Sequence, residues 1–171
     1  MTLRVAQMGL VEFRPARLPE DLRGLVAFDR KVFPSDHFPA SEWRRYESWW
    51  MLLDGRKIGC CAFEPHVDFT DDLDPAEPNQ PRRNSLYIAS TGILPRFQGQ
   101  GFGQLLKAWE IAWAAHSGFN RIVTNTRQRN AAMIALNRKF GFRVLRTTPR
   151  YYRNPVDATV VMELRLRKRE I

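Results

Sequence analysis

Pro95-Arg96-Phe97-Gln98-Gly99-Gln100-Gly101-Phe102-Gly103-Gln104-Leu105-Leu106 carries three glycines at alternate positions. The run before it, Ser85 to Leu94 (SLYIASTGIL), lacks strict alternation and reads as a strand buried on both faces. After it, Phe102, Leu105, Leu106, Trp109 and Trp113 fall at helical spacing and give a long amphipathic helix ending near Gly118. A Gly-rich turn between strand and helix lets the backbone come close to a ligand. The helix start adds free N–H groups and a partial positive charge, so the pattern suits a phosphate or pyrophosphate. The Gly-Lys-Ser/Thr of a nucleotide-binding P-loop is absent. In a dinucleotide fingerprint counted from Gly99, the third glycine would fall at Gln104, and the acidic residue expected further on is missing.

Downstream, Arg121 to Thr126 reads as a strand. Asn130 can cap a helix that runs through Phe140 and stops at Gly141. Phe142 to Arg146 and Thr159 to Leu166 give the last two strands. Upstream, Val11 and Phe13 alternate with charges as a short strand. Pro19-Glu20-Asp21 opens a helix with acidic residues in its first turn. Leu22, Leu25, Val26, Phe28 and Val32 form its apolar stripe, and Phe33-Pro34 ends it. Ser41 to Tyr46 makes a second short helix. Trp49 to Leu53 and Lys57 to Phe63, joined through Asp54-Gly55, read as a hairpin. The order β-α-α-β-β-β-α-β-α-β-β predicts an α/β fold, a mixed sheet with helices packed on it. One domain over residues 1–171 is expected, with 68–84 a long acidic surface loop and 167–171 a basic tail.

The chain has 171 residues, with 27 Lys or Arg against 18 Asp or Glu, a formal charge of +9. Residues 1–80 carry 10 basic and 14 acidic side chains, a net of −4; residues 81–171 carry 17 and 4, a net of +13. Such a basic half fits a nucleic acid, an acidic surface or an anionic cofactor. The basic residues are scattered and form no nucleic-acid reader motif, so nucleic acid is disfavoured. No apolar run approaches the about 18 residues of a membrane span, and the first residues lack a signal-peptide core, so a cytoplasmic location is expected. Cys60 and Cys61 are adjacent, point to opposite faces of a strand and are not expected to bridge. No spaced Cys/His set exists, so no metal is expected.

Gln98-x-x-Gly101-x-Gly103 resembles the acyl-CoA signature of the GNAT superfamily of N-acetyltransferases. Asn130 to Phe142 (NAAMIALNRKFGF) is similar to the helix N-x-x-x-x-x-x-Y-x-x-x-G-F of the same superfamily, in the right order and at the right separation. The resemblance covers residues 85–166 by motif and the rest by element order. Within the superfamily it is nearest to ribosomal-protein-alanine-type N-terminal acetyltransferases. Phe33-Pro34 sits at the first helix corner, Tyr151-Tyr152 precedes the last strand, and Asp157-Ala158-x-x-x-Met162 resembles the closing strand with one extra residue.

The resemblance implies acetyl-CoA as co-substrate, with its acetyl group passed directly to a primary amine, a protein or peptide α-amine. Gly99 to Gln104 would hold the pyrophosphate. Thr91, Gly92 and Ile93 would pair through backbone with the pantetheine arm, where two parallel strands splay. Gln98, Gln100, Gly101, Phe102, Gly103, Asn130 and Asn137 complete the implied CoA contacts, with Arg96, Arg138 or Lys139 near the adenosine phosphate. Phe33, Pro34, Tyr151 and Tyr152 would meet the acceptor. The family's base and acid, a Glu and a Tyr, correspond here to Asn125 and Asn137, amides that do not titrate. Tyr151 and Tyr152 are then the candidate acids, and Glu64, His66 and Asp68 candidate bases acting through water. Other readings are a small-molecule amine acetyltransferase, an acyl-CoA-binding protein without turnover, and a ribosome- or nucleic-acid-binding module. A monomer or a homodimer is expected.

Overall fold

The computed structural model describes residues 9–65 and 84–166. Seven strands and four α-helices follow one another as β1 (Val11–Pro15), α1 (Leu22–Val32), α2 (Ala40–Trp43), β2 (Glu47–Leu53), β3 (Arg56–Pro65), β4 (Ser85–Ile93), α3 (Phe102–His116), β5 (Arg121–Arg127), α4 (Ala131–Lys139), β6 (Arg143–Arg153) and β7 (Val156–Arg165). A 3-10 turn, Pro95–Phe97, joins β4 to the glycine stretch. One sheet runs in the order β1-β2-β3-β4-β5-β7-β6. Among the described strands only β4 and β5 pair in parallel.

Strand side chains alternate between faces, and each face has its own core. Met51, Cys61, Phe63, Leu86 and Ile88 pack beneath α3 with Leu106 and Ala114. Trp50, Leu52, Cys60 and Ala62 pack with Leu25, Phe28, Trp43 and Tyr46 of the α1–α2 segment. The adjacent cysteines therefore do face opposite ways, and both are core because helices cover both faces. Trp109 of α3 stacks on Phe13 at 4.6 Å, and Trp113 on Phe63 at 4.7 Å. Full burial of one such side chain contributes about 1.5–3 kcal/mol.

Several boundaries shift; β2 begins at Glu47 and β7 at Val156, each earlier than expected. The first helix begins at Leu22, so Glu20 and Asp21 precede its first turn, which holds no acidic residue. The Asp21 carboxylate instead accepts from the Arg17 N–H at 2.8 Å and from Lys57 Nζ at 2.8 Å. The second helix is the single turn Ala40–Trp43. Strand β6 extends to Arg153, and so Tyr151 and Tyr152 lie within it. The Asp54-Gly55 turn is as expected, with φ of 49° and 77°. Apart from Asn84, the expected acidic loop lies outside the described residues, as does the basic tail.

Two features aim the site. Asn130 caps α4, its Oδ1 accepting from the Met133 N–H at 3.2 Å. Asp29, buried in α1, accepts from the Phe38 N–H at 2.6 Å and from Trp43 Nε1 at 3.2 Å. These bonds pin the α1–α2 corner. Burial outweighs them and raises the Asp29 carboxyl above its ordinary value.

Candidate acyl-transfer site

Between β4 and β5 the parallel ladder stops at Ile88↔Thr124. Both strands continue. β4 stays on β3 as far as Ile93↔Gly59, and β5 stays on β7 as far as Arg127↔Thr159. Beyond Ile88 the two strands therefore part. Unpaired backbone groups on the freed edge of β4 can pair with an extended ligand, as an added strand would. A cavity of about 190 Å³ opens there. Thr91, Lys107, Asn125, Asn130, Tyr151 and Tyr152 are among the residues lining it, and Phe33, Asp36 and Phe38 approach from the α1–α2 corner.

Close to that edge, α3 begins at Gly101, whose φ is 91° and whose side supplies no capping bond. Gly99, with φ of 73°, shares the left-handed region, and a Cβ at either position would meet open space. The glycines are thus required by the backbone, and the turn is uncovered. Gln98 Nε2 donates to the Ile93 carbonyl at 2.9 Å, and Gln100 Nε2 to the Arg96 carbonyl at 2.9 Å. These side chains brace the turn and leave the first helical N–H groups without a side-chain acceptor. Gly92 is constrained by space instead: a Cβ there would sit 3.1 Å from Val32 and 3.2 Å from Phe33.

Tyr87 and Asn125 organise the wall of the cavity. The Tyr87 hydroxyl donates to Asn125 Oδ1 at 2.5 Å. Asn125 Nδ2 donates to Thr159 Oγ1 at 3.1 Å and to the Tyr152 hydroxyl at 3.4 Å. Burial pushes the Tyr152 phenol up and the Tyr87 phenol well up, which keeps both protonated at neutral pH. Tyr151 packs edge-on against Tyr152 at 5.1 Å.

Arg127 ties the cavity mouth together. Its Nε and Nη2 donate to the two Asp36 oxygens at 2.6 and 2.7 Å, and its Nη1 donates to the Pro155 carbonyl at 2.7 Å. The guanidinium lies 4.2 Å from the centre of the Tyr152 ring. One side chain of β5 thereby joins the α1–α2 corner to the β6–β7 turn.

The expected residues separate into groups. Thr91, Asn125, Asn130, Tyr151, Tyr152 and Phe33 come together at the cavity. Gln98 to Gly101 form the turn and Phe102 to Gln104 open α3; neither these nor Pro34 are among the lining residues. Asn137 is buried in α4, with Nδ2 3.8 Å from Met162 Sδ and an Oδ1 that accepts no bond among the described residues. Glu64 is not among the lining residues; it sits opposite Tyr87 in the β3–β4 ladder and pairs with Arg45 at 2.7 Å, while His66 and Asp68 lie outside the described residues. Arg96 rests on the Phe97 ring, Lys139 donates to Gln104 Oε1 at 2.9 Å, and Arg138 is exposed. Among the described residues no cluster of His, Cys, Asp or Glu is arranged to hold a metal ion.

Sequence reasoning missed Tyr87, Asp36, Arg127 and Lys107. Tyr87 had a signal: a polar tip inside an apolar strand. Lys107 and Glu110 stand three apart on α3, 1% and 0% exposed and 2.6 Å apart.

A family model for acetyltransferases of the GNAT family matches residues 19–142. The chain belongs to the GNAT acetyltransferase family. It is an acetyl-CoA-dependent N-acetyltransferase by that membership. Solved structures with the same fold include the ribosomal-protein-S18-alanine N-acetyltransferase of Escherichia coli, at a TM-score of 0.75 and 16% identity over 95% of this chain and 99% of that one. An IAA acetyltransferase from Bacillus cereus ATCC 14579 superposes at 0.70 and 16% identity, over 92% of this chain and all of that one (100%). A GNAT acetyltransferase from Elizabethkingia anophelis, solved with acetyl-CoA bound, superposes at 0.69 and 17%, over 91% and 98%. No curated protein matches the chain in sequence. No helix among the described residues is long and apolar enough to cross a membrane.

Proposed function

We propose that this acetyltransferase acts on a protein or peptide N-terminal α-amine. One observation carries the reading: the cavity between the parted strands has no unpaired carboxylate or imidazole among its described lining residues. Asp36 lines it, but both its oxygens are held by Arg127. An acceptor must therefore arrive partly neutral. An α-amine, with a pKa of about 7.7–8.0, does so near neutral pH, whereas a lysine amine near 10.4 does not. Catalysis then rests mainly on positioning.

In this reading the uncapped start of α3 and the glycine turn hold the pyrophosphate of acetyl-CoA, and the freed edge at Thr91 to Ile93 holds its pantetheine arm. Acetyl-CoA supplies an activated acyl group at the mouth of the cavity. Tyr152, oriented by Asn125 and kept protonated by burial, donates a hydrogen bond near the reacting centre. Phe33, Phe38 and Tyr151 shield the acceptor from water.

A small-molecule amine is the second reading, favoured by the Arg127–Asp36 bridge. That bridge joins the corner to the hairpin across the mouth, where a peptide would leave the cavity. Paired peptides of one sequence, with free and with blocked N-termini, distinguish the readings. Acetylation confined to the free N-terminus supports the α-amine. Equal acetylation of a blocked, Lys-containing peptide contradicts it, and no acetylation of either beside turnover of a small amine favours the second reading.

A further inference from the structure

Asn137 occupies the helix position from which a protonated side chain would serve the departing sulfur, and an amide has no proton to give at neutral pH. Nearby chemistry offers a replacement. Lys107 of α3 is 1% exposed, yet it lines the cavity between the parted strands. Its Nζ is 2.6 Å from Glu110 Oε2 and 3.3 Å from Thr91 Oγ1, and it lies 5.8 Å from the centre of the Phe142 ring. Thr91 Oγ1 in turn donates to Glu110 Oε1 at 2.6 Å. An ammonium has three donors; one is used in the hydrogen bond to Thr91, and the Glu110 contact is an ion pair.

Burying such a pair is costly, and apolar side chains of similar volume at these core positions are often as stable or more so. Packing therefore gives no reason for Lys107 to be a lysine. Thr91, which it contacts, stands on the freed edge of β4.

We propose that the Lys107 ammonium is a catalytic residue that stabilises the leaving thiolate of CoA. The proposal rests on the acetyl-CoA reading of this cavity. As the amine nitrogen bonds the acetyl carbon, the carbon–sulfur bond breaks and its electron pair passes to sulfur. The proton lost by the amine goes to solvent water. A remaining donor of Lys107 meets the sulfur, and Glu110 and Thr91 hold the ammonium in place. The groups facing it are Glu110 on its own helix, Thr91 of β4, Phe142 after α4 and Cys61 of β3. The Cys61 thiol is pushed well up by burial and stays neutral. Among the described residues Glu110 is the carboxylate in contact with it, and it tempers the field that the sulfur feels.

The test needs no acceptor. CoA is titrated into the protein by calorimetry, and the thiolate absorbance of bound CoA is followed against pH as a difference from free protein. Wild type is expected to ionise bound CoA at a pH at least about one unit below free CoA in the same buffer. At neutral pH, where CoA binds as the thiol, K107M/E110L, which removes both charges together, is expected to bind CoA within about threefold of wild type, with the thiol shift lost. E110Q is expected to deepen the shift, an outcome that a purely structural pair would not give. Binding by wild type with an unshifted thiol overturns this proposal alone. Absence of CoA binding overturns the donor reading and this proposal with it. If the double variant fails to fold, the wild-type titration and E110Q still decide.

Discussion

Tyr152 and Asn125 show how a non-titrating residue can still matter. Asn125 neither gives nor takes a proton, but its amide spans the Tyr87 and Tyr152 hydroxyls and fixes where each points. Tyr152→Phe keeps the ring, its packing on Tyr151 and its contact with Arg127, and removes only the hydroxyl. Turnover is expected to fall about 100-fold with acetyl-CoA affinity unchanged, the lower end of what a positioned proton donor contributes. Steady-state rates alongside calorimetry check this; a wild-type rate would show that the hydroxyl is dispensable. Asn130 both lines the cavity and caps α4. Asn130→Ala removes the cap of α4 and is expected to cost about 1 kcal/mol, read as a lowered Tm.

At the scale of elements, the site depends on how strands and helix corners are tied. Arg127 holds Asp36 from the α1–α2 corner and backbone carbonyls from the β6–β7 turn. Lysine cannot reproduce that planar fork. Arg127→Lys is expected to raise the acceptor KM roughly tenfold while leaving acetyl-CoA affinity unchanged; an unaltered KM would show that the bridge does not shape acceptor binding. A second tie joins β5, β6 and β7. Burial raises the Glu163 carboxyl, but Arg143, Arg121 and Arg165 more than offset this and hold it below its ordinary value of 4.5. A lowered folded-state pKa adds stability that is complete above the unfolded value and lost as pH falls through the folded one. Unfolding measured from pH 6 downward should therefore show wild type losing stability below about 4.5, with a shallower fall in Glu163→Gln.

Much of this element level was legible in the sequence. Asp54-Gly55, the alternating glycines and Asn130 each mark a boundary through local backbone chemistry, and the structure puts a boundary there. The start of α1 was misread because Glu20 and Asp21 resemble a first helical turn; Asp21 is drawn instead to Lys57, distant in sequence. The same limit explains Arg127, Asp36 and the Lys107–Glu110 pair. Their meaning depends on partners that only the folded sheet brings near, and local pattern carries no signal of that. Asn125 and Asn137 could be located by motif, but not their neighbours.

For the whole molecule, the positive charge follows the architecture. Residues 9–65, which supply β1 to β3 and the α1–α2 corner, carry nine basic and nine acidic side chains, while the +13 half supplies β4, the glycine turn, α3, β5, α4, β6 and β7. Acetyl-CoA is an anion, so a positive half raises its encounter rate. The association rate is expected to fall roughly tenfold between 0.01 M and 0.15 M salt, as the screening length shrinks from about 30 Å to about 8 Å. A salt-independent rate in stopped-flow mixing would contradict such steering. The central claim is that the uncapped turn and the parted strands together bind acetyl-CoA. Thermal unfolding across a titration of acetyl-CoA tests it most directly. A ligand of the native state at 100 times its Kd adds about 2.7 kcal/mol, so Tm should climb with concentration. An unchanged Tm at millimolar acetyl-CoA would contradict the account.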